Sequence, residues 1–244
     1  MSAATRILDI FEAFAEQRRP LTLSQLSDVL EVPMSSCFGL VTTLQQRGYL
    51  RPVGDRKELY PTRRMLQNAE IISKNEPVIE RMTRSLEVLR DATQETVILG
   101  ELTMKPPAAV YLNVLEGPQS IRYSARIGDL KPLHSSSTGK ALLAALPEDK
   151  RKALLAKITL EQITANTLTS VDALRADLEE GRRRGYQMTR GENVSDVAAM
   201  SMAVTVADRL FAVAVAGPAY RIVQAARQHH DALKTTIEEL RQIA

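Results

Sequence analysis

Few residue patterns in the chain offer covalent chemistry. Ser137-Thr138-Gly139-Lys140 has the S-x-x-K spacing, the nucleophile pattern of some serine hydrolases, but neither S-D-N nor K-T-G accompanies it. Gly139-Lys140 also looks like the end of a phosphate-binding P-loop. His134 stands where the loop's first glycine would have to be, however, and Ala141 replaces the terminal Ser or Thr. His229 and His230 are adjacent, so on a helix they point in different directions and cannot share a metal. With three histidines and one cysteine, no metal, cofactor or catalytic centre is expected. What remains is binding chemistry. Gly128 to His134 leads into Ser135-Ser136-Ser137 at the start of an expected helix, where exposed N–H groups attract an anion such as a carboxylate. The same serines also read as an ordinary cap. Small residues crowd two later segments, Ala198, Ala199, Ser201 and Ala203 on one and Ala212, Ala214, Ala216 and Gly217 on the other. On a sheet face they leave room for a ligand or for the close approach of a helix.

A length of 244 residues is one or two domains at roughly 150 residues each, with enough chain to fold without disulfides. Thirty-two basic against 29 acidic residues make the chain only mildly basic, which permits a nucleic-acid partner without implying one. The absence of Trp, with four Phe and six Tyr, argues against a stacking platform for single strands. The opening MSAATRILDI lacks the basic and long apolar regions of a signal peptide, and no run of about 18 apolar residues occurs, so a cytoplasmic protein with no membrane partner is expected.

The N-terminal third predicts three helices and a hairpin. In residues 5–17, Ile7, Ile10, Phe11 and Phe14 line one face. Thr22 stands three residues before Gln25, a capping box opening a short helix that buries Leu26, Val29 and Leu30. Pro33 suits the first turn of a third helix, which runs to about Arg47 with Gly48 as its stop. On that helix Cys37, Leu40, Val41 and Leu44 share a face. Ser35, Gly39, Thr42 and Gln46 lie opposite, flanked by Ser36, Phe38 and Thr43. Cys37 is therefore expected as a buried small hydrophobe and not a redox switch. A core face against a small, polar outer face, after a short helix and turn, is the pattern of helix-turn-helix DNA binders, with a plain helical hairpin as the alternative. Tyr49–Val53 and Glu58–Tyr60 read as strands around a Gly54-Asp55 turn. From Arg47 to Arg64 six basic residues, among them Arg51, Arg56 and Lys57, face two acidic ones. Such a wing suits phosphate contacts.

Residues 62–75 read as a polar helix with apolar anchors at Met65, Leu66, Ile71 and Ile72, and Pro77 marks a break. A helix over 78–91 follows. Then come strands at 96–102, 108–115 and 119–124, a loop to 135, and helices at 136–145, 148–156 and 170–184. Strands at 186–190, 197–206 and 210–216 precede a final helix at 219–243. This is a mixed α/β (α+β) domain with an antiparallel sheet.

Four stretches resemble the IclR family of bacterial transcription regulators. They are LTLSQLSDVLEVPMSSCFGLVTTLQQRGYL at Leu21–Leu50, GDLKPLHSSSTGKALLAALP at Gly128–Pro147, LEEGRRRGYQMTRGE at Leu178–Glu192 and AVAVAGP at Ala212–Pro218. The second is similar to the family's G-x-x-x-PLH-x-x-A-x-GKA-x-LA segment and the third to its L-x-x-x-R-x-x-GY-x-x-x-x-x-E segment. The resemblance implies a winged helix-turn-helix over 1–62, a helical connector over 63–77 and a GAF-like effector-binding domain over 78–244. It also implies a dimer or dimer of dimers on double-stranded operator DNA, governed by a small-molecule effector. Family DNA contacts map to Arg6, Ser35, Ser36, Phe38, Gly39, Thr42, Thr43, Arg51, Arg56 and Lys57. Effector contacts map to Leu133, His134, Ser135, Ser137, Ala199, Ala214 and Ala216.

The departures from the family pattern are informative. Gly39 stands where the family often has Arg. Ala199 replaces a Cys, Ala203 a Pro, and Ala214 and Ala216 two serines. Against such a surface an unpaired polar group is costly. The expectation is a repressor responding to an acid with an apolar or aromatic body, the alternatives being a constitutive DNA-binding protein with a vestigial pocket and a small-molecule-binding protein or enzyme built on the second domain. Its acidic end would lie near Leu133–Ser137, and its body against the side of the sheet that carries Ala199, Ala214 and Ala216.

Overall fold

The capping box at Thr22 forms in the computed structural model, which describes residues 2–54, 57–74 and 77–243. Thr22 Oγ1 accepts from the Gln25 amide at 3.3 Å while Gln25 Oε1 accepts from the Thr22 amide at 2.9 Å. By contacts the chain divides into residues 1–76 and 77–244.

In the first unit α1 is Ala3–Gln17, α2 Leu23–Val29 and α3 Met34–Gln46. Ser2 caps α1 by accepting from Thr5. Pro33 sits one residue before α3, at its cap, and not inside its first turn. Strands β1, Leu50–Val53, and β2, Glu58–Pro61, pair antiparallel from Leu50↔Pro61 to Val53↔Glu58. Leu21 bridges to Leu59, tying the wing to the helices. Ile10, Phe14, Leu21, Leu26, Cys37, Val41 and Leu44 form the core. Burial pushes the Cys37 thiol pKa up, in keeping with an inert packed sulfur. Val29 departs from expectation at 46% exposed. The seven-residue α2 turns Leu23, Leu26 and Ser27, and past its end Leu30, toward the core, and Val29 ends on the outer side. The wing turn at Asp55 and Arg56 lies outside the described residues. Helix α4, Arg64–Lys74, groups with this unit.

The second unit opens with α5, Pro77–Thr93, followed by β3, Thr96–Met104, and β4, Pro107–Leu115. Then come β5 (Leu130–Lys131), α6 (Ser137–Ala145), α7 (Glu148–Leu155), α8 (Val171–Arg184) and β6 (Gln187–Arg190). The chain ends with β7 (Val197–Val206), β8 (Arg209–Pro218), α9 (Ala219–Gln224) and α10 (Ala226–Leu240). The strands form one antiparallel sheet in the order β5-β4-β3-β8-β7-β6. Strand alternation divides the core. Val97, Leu99, Met200, Val213 and Val215 pack with α5 and α10, whereas Ile98, Ala199, Ala214 and Ala216 face the other way.

Two expected elements differ. Residues 119–124 form no strand. The edge of β4 is taken instead by Leu130–Lys131, and two carbonyls of 119–124 are met by side chains, Thr96 Oγ1 donating to Tyr123 O and Arg221 Nη2 to Ile121 O. The final helix breaks at Ala225, which leaves helical geometry between α9 and α10.

His229 on α10 is 4% exposed, and neither ring nitrogen has a hydrogen-bond partner among the described residues. Burial lowers its pKa, with a nearby Glu95 opposing. The unfolded chain therefore takes up a proton more readily, so stability is complete above about pH 6.5 and is lost as pH falls through that value. His229→Leu is expected to raise stability by about 1 kcal/mol or more and to flatten this acid slope. Thermal unfolding of both proteins between about pH 5 and pH 8 checks it, and parallel curves would assign the slope elsewhere.

Candidate functional site

Two surfaces gather the residues singled out by the sequence. On α3, Cys37, Val41 and Leu44 are buried and Leu40 is half-buried. Ser35, Gly39 and Thr43 are exposed, and Ser36 and Thr42 half-exposed. Thr43 Oγ1 donates back to Gly39 O at 2.9 Å. The outer face is more apolar than expected, since Phe38 is 59% exposed and Met34 is also exposed. A Cβ at Gly39 would meet nothing within 4 Å, so that glycine answers no packing demand. Arg51 and Lys57 are exposed on the wing, and Arg56 lies outside the described residues. Arg6 on α1 is half-buried, with its Nε lacking a hydrogen-bond partner among the described residues.

The second surface is a narrow pocket in the sheet domain. Its floor is the sheet face of Ile98, Ala199 and Ala216. The start of α6, Ser135–Thr138, forms one wall, and Thr189, Asn193, Val194 and Val197 form another. Tyr111 and Tyr123 close it. Asn193 Nδ2 donates to Ser135 Oγ at 3.1 Å, joining two walls. Ser136 caps α6 by accepting from the Gly139 amide. A Cβ at Gly100 would lie 2.5 Å from Thr138 Cγ2, so glycine there lets α6 lie on β3. Burial, and then Tyr123, push the Tyr111 phenol pKa far up, so it stays a neutral donor. None of the lining residues is charged. A ligand carboxylate would be met by the α6 start, hydroxyls and the Asn193 amide, with no full positive charge.

Four of the seven expected effector residues line this pocket: Ser135, Ser137, Ala199 and Ala216. Ala214 belongs to the same apolar cluster without lining it. Leu133 and His134 do not line it. Leu133 packs into the core with Leu142 and Leu174, and His134 Nε2 bonds to Glu161 O at 3.0 Å. Met200 and Met202 lie on the opposite side of the sheet, as alternation requires. Ile98, Tyr111, Tyr123, Thr138, Thr189, Asn193, Val194 and Val197 went unread in the sequence, since no local motif marks them.

The S-x-x-K pattern has a different explanation. Lys140 is fully buried, and its Nζ lies 2.6 Å from both Asp177 Oδ2 and Glu192 Oε2. Its Nζ donates to these two carboxylates, so the lysine of the pattern is engaged in a buried ion-pair network that ties α6 to α8 and to the segment after β6. Burial pushes the Glu192 carboxyl pKa up, with Lys140 opposing. The glycine of this motif is steric, since a Cβ at Gly139 would lie 2.5 Å from Leu133 Cα. Among the described residues no group of three or more His, Cys, Asp or Glu is placed to hold a metal. No helix there is long and apolar enough to cross a membrane.

Comparison with known proteins bears on both surfaces. A family model described as "Bacterial transcriptional regulator IclR C-terminal" matches residues 69–243, and one described as "IclR helix-turn-helix domain" matches residues 3–54. The acetate operon repressor of Salmonella typhimurium is 28% identical over 231 residues, covering 91% of this chain and 82% of that protein. The regulator KdgR of Escherichia coli is 27% identical, covering 89% and 80%. The Thermotoga maritima IclR crystal structure superposes with a TM-score of 0.82 at 22% identity, covering 98% of this chain and 97% of that one. An IclR homolog from Microbacterium hydrocarbonoxydans, complexed with 4-hydroxybenzoate, gives 0.71 at 21% identity, covering 98% and 99%.

Proposed function

Since the chain belongs to the IclR family of bacterial transcription regulators, we propose that it is a repressor whose hold on operator DNA is set by an aromatic or apolar acid. The observation that carries the effector class is the pocket, with an apolar floor of Ile98, Ala199 and Ala216 and no charged residue in its lining. A ring buried on that floor gains about 25 cal/mol per Å² of apolar area, whereas a two- or three-carbon acid gains little there. Its carboxylate is received at Ser135–Ser137. The 4-hydroxybenzoate held by the Microbacterium homolog supports this chemistry, and the repressor among the curated relatives supports the sign of regulation.

On the DNA side α3 enters the major groove with Ser35, Ser36, Phe38, Gly39, Thr42 and Thr43 outward. Exposed Phe38 suits a thymine methyl. Arg6, Arg51, Arg56 and Lys57 serve phosphates. Arg51→Ala and Lys57→Ala are each expected to weaken specific and random duplex binding alike and to reduce the salt slope by roughly one unit or less. Titrations at several salt concentrations check this, and a loss confined to the specific site would overturn the phosphate role. Two such units per operator require at least two chains. The exposed Met65, Leu66 and Ile72 on α4 supply part of that contact.

Calorimetry tests the effector class directly. Benzoate and 4-hydroxybenzoate are expected to bind the native protein and to lose at least tenfold in affinity to Ala199→Asp, whose carboxylate would be buried against the ring. Tight binding of a short keto- or hydroxy-acid, indifferent to the variant, would sink the reading.

A further inference from the structure

The pocket as it stands admits a water-sized sphere over only about 30 Å³, so any ring must displace a wall. The sheet floor and the α6 start are locked by ladder and helix hydrogen bonds. The wall that carries Tyr123 is different. Among the described residues, 117–125 make no backbone-to-backbone hydrogen bond. Side chains hold this strap. The Thr96 hydroxyl accepts from the Gly117 amide at 3.2 Å and donates to Tyr123 O at 2.5 Å. Arg221, at the start of α9, donates from Nε and Nη2 to the two carboxylate oxygens of Glu95 at 2.5 and 2.9 Å. The same Nη2 donates to Ile121 O at 2.8 Å. Glu95 is itself wedged between two glycines, since a Cβ at Gly217 would lie 2.2 Å from its Oε2 and one at Gly117 2.8 Å from its carbonyl carbon. The outer side of the strap carries Ile121 at 70% exposed, so no packed layer pins it from above.

We propose that the strap 117–125 is the gate of the pocket and that Arg221, oriented by Glu95, is the positioning residue that latches it shut over Tyr123. The proposal rests on the pocket being the effector site. Opening requires loss of one charge-assisted bond to Ile121 O, the Thr96 bond to Tyr123 O and the contact of the Tyr123 and Tyr111 hydroxyls. The Glu95–Arg221 pair and the sheet stay intact, and Arg122 and Ser124 swing with Glu116, their partner at the foot of the strap. Such a gate sets how fast a ligand enters and leaves, more than how tightly it sits.

The test uses the full chain and two variants, Arg221→Gln and Arg221→Lys. Lysine retains a cation for Glu95 but lacks the fork that reaches Ile121 O at the same time. Without any ligand, trypsin cleavage after Arg122 and Arg126, followed by mass spectrometry well below the unfolding temperature, is expected to accelerate on the order of tenfold in both variants relative to other sites. In stopped-flow mixing with 4-hydroxybenzoate, read by tyrosine fluorescence, association and dissociation rates are both expected to rise by similar factors, with Kd nearly unchanged. Cleavage at Arg122 and Arg126 that is unchanged, or that rises only in step with all other sites, overturns the latch. A rise in dissociation alone overturns the gate and leaves Arg221 a structural residue. Selective acceleration of cleavage in a protein that binds no aromatic acid would sustain the latch and defeat the effector reading instead.

Discussion

Thr42→Glu is expected to weaken operator binding on the order of 100-fold while leaving the fold intact, the equivalent of about 3 kcal/mol. Thr42 is half-exposed on the face of α3 opposite Val41 and Leu44, so a longer side chain can turn outward without entering the core. A carboxylate carried into the major groove meets phosphates on both sides and removes one favourable charge contact's worth of salt dependence. Anisotropy titrations at matched salt, with thermal unfolding as the folding control, measure it. An unchanged affinity would place some other face of the helix against DNA.

Lys140→Met is expected to destabilise the second unit by about 3–5 kcal/mol, because two buried or half-buried carboxylates lose their shared cation. For a unit of this size that is a fall of roughly 10 °C in Tm. The pH dependence gives the mechanism away. Burial already pushes the Glu192 pKa up, and without Lys140 it rises further. A carboxyl whose folded pKa exceeds its unfolded value contributes stability below the unfolded value, near pH 4.5, and loses it as pH rises through the folded one. The deficit of the variant should therefore shrink on acidification and be partly repaired by adding Glu192→Gln. A deficit independent of pH and of Glu192→Gln would show that Lys140 matters through packing alone.

Much of the N-terminal unit was legible because its signals are local. The Thr22–Gln25 box and the 3.6-residue spacing of Cys37, Val41 and Leu44 each decide an element within a turn or two. The errors arose where geometry is set by distant chain. Residues 119–124 carry strand-like residues, yet β5 occupies the β4 edge and Thr96 and Arg221 take two of the freed carbonyls. Nothing near Arg221 in the sequence reveals a partner at Ile121. The same holds for the pocket. Strand alternation was enough to group Ala199, Ala214 and Ala216 on one side of the sheet, and Ser135 and Ser137, singled out at the start of a helix, line the pocket over it. Tyr111, Tyr123, Thr189 and Asn193 come from separate segments and converge only through the sheet order. Leu133 and His134 precede that start but turn into the core and toward Glu161. A lysine with no solvent exposure is equally invisible locally, because its acids lie 37 and 52 residues away.

The most direct test of an acid-responsive DNA binder is a single titration. Labelled duplex from upstream of the gene is titrated with the protein, by anisotropy, at increasing fixed concentrations of 4-hydroxybenzoate. The expected result is binding at least about 1,000-fold tighter than to a random duplex of equal length. The acid should shift its midpoint, saturably, by roughly 5- to 150-fold. Equal affinity for the random duplex, or a midpoint that no concentration of the acid moves, would contradict it.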